Sequence, residues 1–256
     1  MDAGLSLGLK GKRALVTGGS RGVGRATALM LARAGADVVI GYHSRGADAE
    51  AVVAELRALG VRAAAQAADL ATPWGAEIVF ERCLVELGGV DLFVGNHGVW
   101  PPDDTPIAVM ADTQWKRTLD ANLTSIFYTV QLAARHVGDG GRIVLVSSTA
   151  GQRGEGGHAD YAASKGAMIS LTKSVAVELA RRGVTVNCVA PGWIDTEMVA
   201  GAMAREGRER IEAGIPLGRV ATADDVAGPI VWLCSDLARH VTGEVVNVNG
   251  GSVLCG

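Results

Sequence analysis

The chain has 256 residues, enough for one α/β unit with a large core. Hydrophobic residues make up 48%, aromatics only 4%, and the net charge is −3 with no basic stripe, which excludes a nucleic-acid or anionic-membrane surface as the basis of function. The four cysteines (Cys83, Cys188, Cys234, Cys255) and five histidines are scattered, so no metal-ligand spacing is present, and the thiols are expected to be the reduced, structural ones of a cytoplasmic protein.

The opening MDAGLSLGLKGKR lacks the charged start and apolar run of a signal peptide. No apolar stretch approaches the roughly 18 residues of a membrane span, so no membrane partner is expected. Residues 12–17, KRALVT, read as a short buried strand. The turn GGSRGVG and a helical run, RATALMLARAG, follow it. ADVVIGY is the next strand, and DAEAVVAELRALG is a helix ending at Gly60. VRAAAQAADL, a helix from about Pro73 to Leu87 and the strand DLFVG repeat the pattern. This alternation signals βαβ units and a parallel sheet.

The second half continues alike. A long helix is expected from about Thr113 to His136, a strand in GRIVLVSS and a helix from about Tyr161 to Arg181. VTVNCVAPG is a strand broken by Pro191, and the segment 193–216 has no clear pattern. TADDVAGPIVWLCSD is a helix with Thr222 as N-cap, and GEVVNVNGG is the final strand. No linker, repeat or low-complexity segment divides the chain, so 1–256 reads as one domain.

Two stretches carry chemistry. TGGSRGVG lies between the first strand and the first helix, where glycines let the backbone approach a ligand and the helix N-terminus faces a pyrophosphate. A plain tight turn would use the same glycines. In HADYAASKGAM, Tyr161 and Lys165 share a helix face at i and i+4. Free tyrosine has a pKa of about 10, and a nearby cation would lower it enough for proton exchange near neutrality. An ordinary amphipathic helix also carries such pairs. Ser148 ends GRIVLVSS, at the strand edge where ligands of parallel sheets collect.

The glycine spacing is TGxxxGxG, with Gly18, Gly22 and Gly24, and with VSS…YAASK it resembles the short-chain dehydrogenase/reductase family across essentially all of the chain. The likeness is greatest to members of the 3-oxoacyl-carrier-protein reductase type. It implies a doubly wound Rossmann fold around a mostly seven-stranded parallel sheet. It further implies an NAD(P)-dependent enzyme that interconverts a ketone and a secondary alcohol. Tyr161 would protonate the carbonyl oxygen and Ser148 would orient it, the second serine of the pair being favoured because side chains alternate along a strand. Lys165 would lower the tyrosine pKa and hold the nicotinamide ribose. Asn122, in LDANLTSIF, would hold a water that links the lysine to solvent.

By the same resemblance Gly18, Ser20, Arg21, Gly22, Val23 and Gly24 would cradle the dinucleotide. Asp69 and Leu70 would meet adenine, though Asp69 also suits a helix N-cap before Pro73. Asn96 and Gly98 match part of the family's NNAG, here GNHG, in which Gly95 loses an amide and His97 replaces a small residue. His97 reads as a pocket-wall or structural histidine. Pro191, Gly192, Ile194 and Thr196 match PGxxxT and would contact the nicotinamide amide and phosphates. The glycine-rich RGEGGH would be a loop over the substrate, VWPP would shape its entrance, and 193–216 would be the substrate-binding segment.

An NAD-preferring fold usually places an acid about 20 residues past the glycines, on the ribose 2′-hydroxyl. Tyr42 stands there; Asp37 comes too early and Asp48 falls in the next helix. Arg21, Ser44 and Arg45 offer cations and a hydroxyl to a 2′-phosphate, so NADP(H) is favoured, with NAD(H) as the alternative. The competing functions are an NAD-dependent catabolic alcohol or sugar dehydrogenase and a low-turnover dinucleotide-binding sensor. The resemblance also implies a homotetramer, with the helices at about 113–136 and 161–181 pairing across a two-fold axis and the last strand and preceding helix forming a second interface. Met168, Leu171, Val175 and Leu179 form an apolar stripe on the second of those helices, which faces only the core in a monomer.

Overall fold

Seven strands alternate with helices as the sequence pattern requires, and every strand pair is parallel. The computed structural model describes residues 6–255. The strands are β1 (Arg13–Thr17), β2 (Asp37–Tyr42), β3 (Ala63–Ala67), β4 (Val90–Gly95), β5 (Val137–Val146), β6 (Thr185–Pro191) and β7 (Val245–Val248). Their order across the sheet is β3-β2-β1-β4-β5-β6-β7. The chain builds outward from β1 to β3, then crosses back to lay β4 on the other side of β1. That reversal separates the loops leaving β1 and β4 and opens a crevice at their carboxyl ends.

Both sheet faces are covered, so the strands are near-continuous apolar runs. One layer holds α1 (Gly22–Arg33), α2 (Gly46–Ala58) and α10 (Ala223–Cys234), packed on Val16, Ile40 and Val94. The other holds α3 (Pro73–Leu87), α5 (Ser125–His136) and α7 (Ala159–Leu179), packed on Leu15, Phe93 and Ile143. Neighbouring strand residues such as Leu15 and Val16 thus serve opposite layers. Thr222 caps α10 as expected: its hydroxyl accepts the Asp225 N–H at 3.2 Å, and Asp225 accepts the Thr222 N–H at 2.7 Å.

The long helix expected near 113–136 is three pieces in line: α4 (Asp112–Leu119), a π turn (Asp120–Thr124) and α5. The π turn adds a residue to the helical path and sends Asn122, fully buried, toward the loop after β4. β5 starts at Val137, four residues earlier than GRIVLVSS suggested, because Val137 pairs with Val90 before the register shifts ahead of Leu92. The patternless 193–216 contains α8 (Ala200–Glu206) and α9 (Arg208–Ala213), whose Met203 and Ile211 form a small separate cluster with Ile215 and Val220. A short α6 (Thr149–Arg153) precedes α7. Among the described residues no helix is long and apolar enough to cross a membrane.

Candidate active site

A cleft of about 960 Å³ opens above the carboxyl ends of β1, β4, β5 and β6. The turn after β1 forms one end. Gly22 adopts a left-handed φ of 52°, and a Cβ there would point toward Thr196 at 3.5 Å, across the cleft. Gly24 does not reach the cleft, contrary to its expected place among the ligand contacts; a Cβ on it would stand 2.2 Å from the Gly18 carbonyl oxygen, so its role is close packing of helix on turn. Asn96 fixes the same turn by donating from Nδ2 to the Thr17 and Gly18 carbonyls at 3.1 and 3.2 Å. No side chain caps α1 and no acid lies in its first turn, which leaves its N–H groups suited to a pyrophosphate. The glycine turn therefore fits a dinucleotide.

Ser20, Arg21, Val23, Tyr42, Ser44 and Arg45 line this end, with Asp69 and Leu70 beside them. Asp69 does not cap α3: Thr72 does, accepting the Gly75 N–H at 3.0 Å, while Asp69 accepts the Ala71 N–H. Opposite the arginines stands Glu197, a residue the sequence reading passed over. Arg21 and Arg45 both donate to its Oε2, at 2.7 and 2.8 Å. Pro191, Gly192, Ile194 and Thr196 line the wall between Glu197 and the middle of the cleft.

Ser148, Tyr161 and Lys165 meet in that middle. The β5–β6 ladder continues one residue past β5, as the Ser147 N–H donates to the Val189 carbonyl. Ser147 then turns inward and donates to the Lys165 carbonyl at 2.7 Å, while extended Ser148 faces the cleft and accepts the Ala150 N–H. The alternation that favoured Ser148 thus holds. Lys165 donates from Nζ to the Val146 carbonyl at 2.8 Å and lies over the Tyr161 ring, 5.8 Å from its centre. Burial lowers its pKa to about 8. The Tyr161 phenol is raised to about 12, chiefly by burial; Ser148 opposes the rise and the Glu155 charge adds to it. In the chain by itself, then, desolvation outweighs the lowering expected from Lys165.

Asn122 sits behind this group rather than on the cleft wall. Its Oδ1 accepts the Val99 N–H at 2.7 Å, and its Nδ2 donates to the Val99 carbonyl at 2.8 Å and to Ser164 at 3.2 Å. Gly98 lies between: a Cβ there would crowd Asn122 Oδ1 at 3.0 Å and Lys165 Nζ at 3.4 Å.

His97 is a cross-brace. Ser125 donates its proton to the Ala121 carbonyl at 2.7 Å, so it accepts from His97 Nε2 at 2.8 Å; Nδ1 then accepts from Thr17 Oγ1 at 2.8 Å. This neutral imidazole joins the end of β1 to α5. Burial first, and the Lys165 charge second, hold its pKa down at about 3.

The far end of the cleft is aromatic and polar. Trp100, Arg153, Glu155 and Trp193 line it. VWPP and RGEGGH meet here, joined by the hydrogen bond between His158 and the Pro101 carbonyl. The fourfold combination crosses three separate loops, so no local spacing announced it. Among the described residues no three His, Cys, Asp or Glu side chains gather as metal ligands.

A family model described as Enoyl-(Acyl carrier protein) reductase matches residues 18–252. A 3-oxoacyl-(acyl-carrier-protein) reductase of Escherichia coli is 39% identical over 254 residues, covering 97% of this chain and all of that protein. An L-rhamnose 1-dehydrogenase (NAD(P)(+)) of Sphingomonas sp. is 41% identical over 250 residues, covering 95% of this chain and 96% of that protein. A solved short-chain dehydrogenase from Burkholderia cenocepacia, in complex with NADP, superposes with a TM-score of 0.89 at 38% identity, covering 95% of this chain and 98% of that one.

Proposed function

The chain belongs to the short-chain dehydrogenase/reductase family, and from that premise we propose that it is an NADP(H)-dependent carbonyl reductase of the 3-oxoacyl-reductase type, interconverting a ketone and a secondary alcohol. The observation that carries this reading is the meeting of Ser148, Tyr161 and Lys165 in one cleft with the glycine turn. Bound NADPH would supply the hydride to the carbonyl carbon. Tyr161 gives its phenolic proton to the carbonyl oxygen, and the Ser148 hydroxyl orients that oxygen. Lys165 holds the ribose hydroxyls and, as a buried cation, stabilises the phenolate left behind. In the reverse direction the phenolate takes the alcohol proton. Asn122 and Ser164 brace the loop and helix around Lys165.

The choice of NADP(H) over NAD(H) is supported by Arg21 and Arg45 at the rim and by Tyr42 where an acid would otherwise stand. We assign 193–216 to substrate binding within a single domain, because Trp193 through Ala200, the first residue of α8, line the cleft. A homotetramer fits the apolar side chains left outside the core. The stripe of Met168, Leu171, Val175 and Leu179 packs in the chain's own core, Leu171 partly buried and the other three buried; Phe127 and Val177, 48% and 80% exposed, are the surface a partner copy would cover. A cytoplasmic location accords with four free cysteines, three of them buried.

The test is consumption of NADPH against a panel of ketones that includes 3-oxoacyl thioesters. Turnover that depends on Tyr161 supports the reading; NADPH binding with no turnover on any carbonyl compound would favour a dinucleotide-binding sensor.

A further inference from the structure

Tyr161 is the third residue of α7, inside its first turn. A backbone N–H there has no acceptor within the helix, and helix ends fray. The phenol thus stands on a weakly constrained turn of a 21-residue helix. His158, at the N-cap, offers that turn no side-chain acceptor; its Nε2 donates to the Pro101 carbonyl instead. The acceptor comes from Asp160, whose Oδ1 takes the Tyr161 N–H at 2.9 Å.

Asp160 is fully buried, where a carboxylate is costly unless donors surround it. Two of its donors come from α4, both to Oδ2: the Thr118 hydroxyl at 2.7 Å and Gln114 Nε2 at 3.3 Å. One turn further on, a second bridge joins the same two helical paths. Ser164 donates to the Tyr161 carbonyl at 2.7 Å and accepts from Asn122 Nδ2 at 3.2 Å. Thr118 and Asn122 stand four residues apart on one path, and Asp160 and Ser164 four apart on the other. The two bridges therefore hold the N–H and the C=O of one residue, Tyr161. All four bridging side chains are buried, and neither Thr118 nor Asp160 lines the cleft. An apolar pair of similar volume would pack between the helices without the desolvation cost. What the polar pair adds is direction.

We propose that Asp160, held by Thr118, is a positioning residue for Tyr161. It fixes the peptide that carries the phenol and thereby the approach of the phenolic oxygen to the substrate carbonyl. It acts through Tyr161 alone, touching neither substrate nor dinucleotide. The proposal rests on the carbonyl-reductase reading, in which Tyr161 gives the proton. A misplacement of about 1 Å in such a group costs on the order of a hundredfold in rate.

The experiment measures kcat and KM for NADPH-dependent reduction of a 3-oxobutanoyl thioester and simple ketones, NADPH affinity by fluorescence titration, and melting temperature. Asp160→Ala, Asp160→Asn, Thr118→Val and Thr118→Ser are each made in the wild type and in Tyr161→Phe. Asp160→Ala should lower kcat by about ten- to a hundredfold and leave NADPH affinity near wild type. Thr118→Val, which keeps the shape and the Tyr161 N–H bond, should lower kcat by about three- to tenfold. Asp160→Asn and Thr118→Ser should restore most of the rate: the asparagine oxygen still accepts the Tyr161 N–H, and a hydroxyl can accept from its amide. In the Tyr161→Phe background, Asp160→Ala and Thr118→Val should leave the residual rate unmoved, because no phenolic proton remains to be placed. A merely structural pair would lower that residual rate by the same factor as in the wild type, which would overturn the proposal. So would a wild-type kcat in Thr118→Val. Should Asp160→Ala not fold, the two Thr118 variants decide. Ketone turnover that these substitutions leave unmoved sinks this proposal and leaves the carbonyl-reductase reading standing; no turnover of any ketone by the wild type sinks both.

Discussion

Glu197 receives a hydrogen bond from Arg21 across the mouth of the cleft, with 2.7 Å between Oε2 and Nη1 and 176 residues between the two in sequence. Arg45 reaches the same oxygen. A carboxylate therefore occupies the two cations proposed for a 2′-phosphate. All three side chains are about half exposed, so the pairs contribute little, roughly 0.2–1 kcal/mol each.

That competition has a measurable consequence. Glu197→Gln should tighten NADPH binding by up to about fivefold, the equivalent of one such exposed pair, and leave NADH unchanged. Arg21→Ala and Arg45→Ala should each weaken NADPH by about tenfold, more than NADH, since only NADPH carries the extra phosphate. Fluorescence titration with both nucleotides decides the matter. If the wild type binds NADH more tightly, the reading of Tyr42 and the arginines is wrong.

Tyr161→Phe keeps the ring and removes the proton. Ketone reduction should fall by about 10²–10⁴, the span of a lost general acid. NADPH affinity should stay close to wild type because the glycine turn is untouched. A variant with a tenth of wild-type turnover would remove Tyr161 from the acid role.

Lys165 titrates at about 8 in the chain by itself. Its charged form holds the ribose and the phenolate, so kcat/KM for NADPH should decline as pH rises through about 8. Lys165→Met should show a low rate without that limb. Tyr161, at about 12, adds no limb below pH 10. A wild-type profile that is flat from pH 7 to about 9 would contradict the assignment.

His97 offers a stability test. Its folded pKa of about 3 lies below the ordinary 6.5, so the unfolded chain binds the extra proton between those values. The stability contributed by neutral His97 is whole above pH 6.5 and is lost as pH falls toward 3, by at most about 1.4 kcal/mol per pH unit. His97→Ala should flatten the acid limb of stability between pH 6 and about 4 in denaturant titrations. Identical slopes in the two proteins would show that another group controls that limb.

The site was unevenly legible in the sequence. Tyr161 and Lys165 could be paired because one helical turn sets their relation, and Ser148 because strand alternation does. Asn122 was found by likeness to a motif, yet the π turn that aims it at Val99 has no periodic signature. Gly24 was placed against the ligand because glycine in a phosphate turn and glycine under a close-packed carbonyl look the same in one dimension. The net upward shift of Tyr161 has a related cause: a lysine four residues away is visible in sequence, whereas burial of the phenol is not.

Local periodicity by itself determined the strand–helix alternation, the parallel sheet, the cap at Thr222 and the catalytic spacing, since each depends on torsions and neighbours within a few residues. Only the tertiary structure decided that Glu197 lies between Arg21 and Arg45, that His97 braces Thr17 to Ser125, and that Glu155 shares a wall with Trp100 and Trp193. Those groups sit on loops leaving different strands. Their meeting depends on the order in which the crossovers lay β1, β4, β5 and β6 side by side and on the path each loop takes above the sheet, which no spacing along the chain records.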